Sequence, residues 1–187
     1  MADERFARLV TVACHDLRTP LATINGVAKM LVRQGTLAEP EARLAGLADA
    51  AAVEMASLLD QLGLAARIAA GRFEPQRRDA DTLELASSPD ERVAVVGAGE
   101  TVCTDVDAVS GALDGLALAA LRHGLLAEVT WTVTGRTLLL APLPEHAAAV
   151  VLGSSARELG PLVARMVLEA LGGTVALEGE ALRVTLG

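Results

Sequence analysis

Residues 6–31 read FARLVTVACHDLRTPLATINGVAKML, and within them Phe6, Val10, Ala13, Leu17, Ile24, Val27 and Leu31 recur on alternating steps of three and four. Pro20 takes the one missing position. That spacing predicts one long heptad-patterned helix. The next apolar series, Leu44, Ala48, Ala51, Met55, Leu58, Leu62, Ala65 and Ala69, keeps the same alternation. Between the two lies Gln34-Gly35-Thr36-Leu37-Ala38-Glu39-Pro40, with Gly35 suited to a helix C-terminus and Pro40 to the first turn of the next helix. Two long helices and a short loop make an antiparallel hairpin. A lone hairpin is too narrow to cover its own apolar stripe, so two copies are expected to join as a four-helix bundle, a homodimer.

Beyond the hairpin the texture changes. Gly71-Arg72-Phe73-Glu74-Pro75-Gln76-Arg77-Arg78-Asp79 is polar, holds both Gly and Pro, and breaks the helical period, which divides the chain into residues 1–72 and 73–187. Val93 to Val96 is a short β-branched run, and a helix is expected from Asp105 to Arg122 with Val109, Leu113, Leu116 and Ala120 on one face. Val129, Trp131 and Val133 alternate with threonines before Gly135-Arg136 and Leu138, Leu140, a hairpin signature. A further helix over 155–171 ends at Gly172-Gly173, and Val175 to Leu177 with Leu182 to Leu186 reads as a closing hairpin. The fold class is therefore α plus α/β: a helical hairpin forming a dimeric bundle, then a small α/β sandwich.

Composition narrows the function. Of 187 residues, 52% are hydrophobic but only 2% aromatic, so the core is built from Ala, Leu and Val. A net charge of −8 argues against nucleic acid, whose phosphates are neutralised by Lys and Arg. Cys14 and Cys103 stand far apart without a metal-ligand or CxxC pattern, which fits a reduced, cytoplasmic chain. Asp3, Glu4, Arg5 and Arg8 open the sequence in place of an apolar leader, and no run approaches the ~20 apolar residues of a membrane span. Val93 to Val102 starts like a dinucleotide fingerprint, but Val102 replaces its third glycine and no βαβ unit precedes it. His123 and His146 show no ligand set or catalytic partner, and surface or structural roles are assigned to both.

The chemistry concentrates in His15-Asp16-Leu17-Arg18-Thr19-Pro20-Leu21. At about 100° per residue, His15 projects nearly opposite the mean direction of Val10, Ala13 and Leu17, toward solvent. Thr19, at i+4, shares its face. Pro20 lacks an NH and crowds the carbonyl of Asp16, which predicts a bend after the histidine. An exposed imidazole is largely neutral at pH 7, and its free nitrogen is a nucleophile for phosphorus. Asp16 is placed to accept a hydrogen bond from the other ring nitrogen.

HDLRTPL on the first helix of a heptad hairpin resembles the H box of sensor histidine kinases. The resemblance implies that His15 is phosphorylated, that Asp16 assists, and that Thr19 positions water for dephosphorylation of a partner, while Arg18 and Pro20 belong to the surface a partner grips. It extends at lower specificity along the chain: 66–73 is similar to the exit helix of the kinase bundle, 113–124 to the N box, and 160–173 to the helix behind the last glycine box. The nucleotide chemistry of that family is missing. Gly115 and Ala119 fall where two Asn are found; Leu138 to Pro144 replaces an Asp-x-Gly-x-Gly loop; and Glu158-Leu159-Gly160-Pro161 replaces a Gly-Leu-Gly-Leu phosphate turn with a negative charge and a residue lacking an NH. Glu158 is expected to repel a phosphate.

By resemblance the chain is a histidine phosphotransferase of a two-component phosphorelay with a degenerate ATPase-like second domain. His15 would take its phosphoryl group from a response-regulator aspartate and pass it to another receiver without ATP. No cofactor is then bound by this chain, and Mg²⁺ comes with the receiver. Two other readings stay open: a divergent ATP-dependent sensor histidine kinase, and a non-catalytic dimeric scaffold that binds response regulators.

Overall fold

The computed structural model describes residues 2–34, 37–155 and 157–187. The chain divides into two compact units between Arg72 and Phe73. The first is an antiparallel hairpin of α1 (Ala2–Gln34) and α2 (Glu39–Ala69). Pro40 lies in the first turn of α2, and α1 runs unbroken through Pro20. The helix end read at Gly35 lies outside the described residues. None of the described helices is long and apolar enough to cross a membrane.

The seam of the hairpin is not the stripe that periodicity picks out. Ala7, Cys14, Leu21 and Ala28, one every seventh residue, are buried against Ala45, Ala52, Gly63 and Ala66 of α2. Leu21 apart, these side chains are small and let the two backbones lie close, which leaves most of the large ones elsewhere. Phe6, Leu17, Ile24, Val27 and Leu31 on α1, and Leu44, Met55, Leu58 and Leu62 on α2, are exposed, Phe6 to 67% and Leu44 to 66%. The heptad pattern thus marks a second apolar face, displaced by about one residue from the face that closes the hairpin.

The second unit is an α/β layer. A five-stranded sheet has the order β2 (Val93–Gly99), β4 (Val129–Gly135), β5 (Thr137–Ala141), β7 (Ala181–Thr185), β6 (Thr174–Glu178). β2 is parallel to β4 and every other pairing is antiparallel. Both expected hairpins are present, turning at Gly135 and Gly179, each with φ +58°. A separate ribbon pairs β1 (Arg77–Asp81) with β3 (Thr101–Asp105), and α3 (Thr82–Leu85) follows β1. The sheet's period of two is strict: Val129, Trp131, Val133, Leu138, Leu140, Leu182 and Val184 are buried on one face. Three helices complete the core: α4 (Val106–Gly124), α5 (Glu145–Val151) and α6 (Leu159–Ala170). α4 contributes Val109, Leu113, Leu116 and Ala120, all at most 1% exposed. Each leucine so buried is worth roughly 1.5–3 kcal/mol of transfer free energy.

α6 begins at Leu159, four residues later than periodicity suggests, and α5 was not anticipated. The glycines of the fingerprint-like stretch serve packing. β2 leads into β3 rather than a helix, and a Cβ on Gly97 would lie 2.1 Å from the Val133 carbonyl oxygen of the adjacent strand. At Gly99 a Cβ would lie 1.9 Å from an Asp81 carboxylate oxygen.

Candidate functional site

Because Cys14 is turned into the hairpin seam, the next residue is rotated out of it. The His15 side chain is 81% exposed. Its Nδ1 lies 3.2 Å from Oδ1 of Asp16. With the proton on Nδ1 the ring donates to that carboxylate, and the lone pair of Nε2 is left free toward solvent. The ring thus stands on a helix with one nitrogen beside a carboxylate and the other open to a large partner.

The other residues of the string are distributed around it. Thr19 and Pro20 are both exposed one turn further along. The Thr19 carbonyl accepts a bond from Thr23 Oγ1 at 3.2 Å, and among the described residues the Thr19 hydroxyl makes no bond to His15. Arg18 is engaged within the chain: its Nη2 donates to Oδ1 of Asp60 on α2 at 2.5 Å. This pair ties the two helices together one turn beyond His15. Beneath it lies Gly63, where a Cβ would come to 3.8 Å from Arg18 Nη2 and 3.7 Å from Arg67 Nη1. Asp60 and Gly63 were not singled out from sequence. The available signal was an acid on the second arm of an antiparallel hairpin facing a base on the first.

In the second unit, Gly115 and Ala119 lie on α4 and bring no donor atom to a ligand. Strand β5 ends at Ala141, followed by Pro142 rather than an acidic loop. Glu158, expected to repel a phosphate, is held within the chain. Its Oε1 accepts from Nη2 of Arg122, and its Oε2 meets Nε2 of His123. The structural role assigned to His123 thereby acquires a partner 35 residues away, which local sequence could not reveal. His146 is exposed on α5. Among the described residues no three His, Cys, Asp or Glu side chains converge as a metal site would require.

Residues 7–71 match the family model of the His Kinase A (phospho-acceptor) domain. Comparison with curated protein sequences finds no match. Among solved structures, full-length ShkA in complex with AMPPNP aligns with a TM-score of 0.70 at 17% identity, over 95% of this chain and 44% of that one. The Acinetobacter baumannii histidine kinase AdeS aligns with a TM-score of 0.58 at 18% identity, over 92% of this chain and 97% of that one. The chain therefore spans less than half of the ShkA chain and nearly all of the AdeS chain. Identities this low carry the fold and leave the chemistry to the residues.

Proposed function

We infer that the chain is a phosphohistidine protein of two-component signalling, with His15 as the acceptor, since residues 7–71 match the His Kinase A phospho-acceptor model within a chain of the fold seen in AdeS and ShkA. The observation that carries this reading is the solvent-exposed imidazole whose Nδ1 is engaged by Asp16. Nε2 attacks the donor phosphorus; an N–P bond forms as the donor's P–O bond breaks. The Nδ1 proton stays hydrogen-bonded to Asp16, which offsets the positive charge left on the ring. In the onward step a receiver carboxylate attacks phosphorus, the N–P bond breaks and the imidazole returns neutral. Thr19, one turn along on the exposed surface, is suited to orient water against a docked phospho-receiver, and Pro20 to contact that partner. Arg18, through Asp60, holds the two helices in register beside the reacting ring.

The apolar stripe supports a homodimer. Ile24, Val27 and Leu31 line a shallow cleft with Ala45 and Ala48 that none of the described residues fills. A second copy would bury it as a four-helix bundle.

Two donors separate the remaining readings. The comparisons favour an ATP-dependent histidine kinase, since AdeS is a histidine kinase and ShkA was solved in complex with AMPPNP. The side chains favour a phosphorylated receiver. The fold family implies Mg-ATP, and the residues do not fit it: Gly115 and Ala119 offer no metal ligand, no carboxylate directly follows β5, and Glu158 already engages Arg122 and His123 at the end of α4. We adopt the receiver donor, with Mg²⁺ supplied by the receiver. Purified protein is incubated separately with radiolabelled Mg-ATP and with phosphorylated receivers. Label from receivers on wild type and none on His15→Ala supports the reading. Label from Mg-ATP makes the chain a kinase, and no label from either source leaves only a scaffold.

A further inference from the structure

One carboxylate in the second unit does work for an element other than its own. Glu158 is the N-cap residue of α6, a position whose side chain ordinarily accepts a bond from its own helix, yet it makes none. Instead both oxygens reach the last turn of α4, one to Arg122 and one to His123. The carboxylate is 22% exposed, whereas the Arg122 side chain is 62% exposed. The acid is the enclosed member of the cluster and the guanidinium opens to solvent. The charge-assisted bonds of this carboxylate are thus directed to α4 rather than to the NH groups of its own helix.

We propose that Glu158 is a built-in anion: it occupies a phosphate-type binding site formed by Arg122 and His123, and so closes the second unit to phosphate-bearing ligands. The proposal rests on the receiver-donor reading and supplies a physical cause for it. Two oxygens of one group, each given to a different donor, is how phosphate oxygens are held, and the planar fork of Arg suits them. A free phosphate must displace a carboxylate already tethered beside the site. A tethered competitor acts at an effective concentration in the millimolar range or above, so it lowers the affinity of the site for any free phosphate. Pro161, in the first turn of α6, has no NH to add to such a ligand.

The test uses the full chain, with inorganic pyrophosphate and Mg-ATP as separate calorimetric probes and the His123 ring signals followed by NMR. Wild type is expected to show no saturable binding below the millimolar range, and Glu158→Gln to bind pyrophosphate at least about tenfold more tightly than wild type does, the least that such a competitor withholds. Adding Arg122→Ala to Glu158→Gln should return binding to the wild-type level. Glu158→Gln and Glu158→Ala both binding no better than wild type would overturn the proposal while leaving the receiver-donor reading intact. Saturable Mg-ATP binding by wild type defeats both. If the variants do not fold, as judged by far-ultraviolet dichroism, wild type decides alone: His123 signals unmoved by sub-millimolar pyrophosphate support the occupied site, and a saturable shift overturns it.

Discussion

At the scale of single residues, His15 depends on a neighbour that costs the fold nothing. Asp16 is 72% exposed and its one described side-chain bond is to the imidazole. Asp16→Asn keeps the shape, removes the charge opposing the developing imidazolium, and lets either tautomer form. A hydrogen bond to a charged group contributes about 1.5–3 kcal/mol, and exposure places this one at the low end. Labelling of His15 from phospho-receivers should therefore slow about tenfold, with the thermal midpoint unchanged. An unaltered labelling rate would show that Asp16 does not set the ring. This part of the site was readable in sequence because it is local: adjacent residues and residues four apart on a helix have fixed directions. Asp60 behind Arg18, and Glu158 across His123, were not readable, since each pairing spans more than thirty residues and exists only once helices pack.

At the scale of elements, the hairpin shows what heptad reading captures and what it misses. Large apolar side chains reveal a helix and its period. They do not reveal that Ala7, Cys14, Ala28, Ala45 and Ala52 form the tight seam, because small residues carry little weight in any hydrophobic pattern. Size is what matters there. Ala52 is 2% exposed in that seam, and Ala52→Leu should destabilise the hairpin by about 1–3 kcal/mol by forcing the helices apart, measured by urea unfolding. Full stability in that variant would mean that the helices are not closely packed at this level. The second unit divides in the same way. Long alternating strands and α4 announced themselves, whereas α3, α5, β1 and β3 are too short to establish a period. Entry into β2 depends on a turn in which Arg92 donates Nε at 2.9 Å, Nη2 at 2.6 Å and its backbone NH at 3.0 Å to the Asp90 carboxylate. These bonds hold the Asp90 pKa at about 2, below its ordinary 3.8. A depressed carboxyl stabilises the fold in full above its unfolded value and loses that contribution as pH falls through the folded one. The gap in urea midpoint between wild type and Asp90→Asn should thus be constant above about pH 4 and close between 3.8 and 2. A gap that persists unchanged to pH 2 would remove the ion pair as its origin.

At the scale of the whole molecule, two units with separate cores and unlike surfaces should respond differently to concentration. The second unit buries its own large side chains: Trp131, Leu138, Leu140 and Leu182 are all 0% exposed. The hairpin leaves Phe6, Leu17, Ile24, Leu44 and Met55 in water, and the proposed homodimer would bury that stripe against a second copy. Folding coupled to association follows mass action, so the melting point of the hairpin rises with protein concentration while that of a self-contained unit does not. The chain carries its own reporter, because its single Trp lies in the second unit. Trp131 Nε1 is buried without a hydrogen-bond partner, and exposure of that indole on unfolding shifts its emission to the red. Over roughly a hundredfold range of protein concentration, the Trp131 transition should hold its midpoint, while a helical component followed at 222 nm climbs by several degrees. Ile24→Glu with Leu58→Glu should abolish that climb and give a monomer in sedimentation, leaving the Trp131 midpoint where it was. If both probes move together with concentration, association belongs to the second unit as well. If neither moves, folding of the hairpin is not coupled to pairing of two copies, and the proposed dimer is overturned.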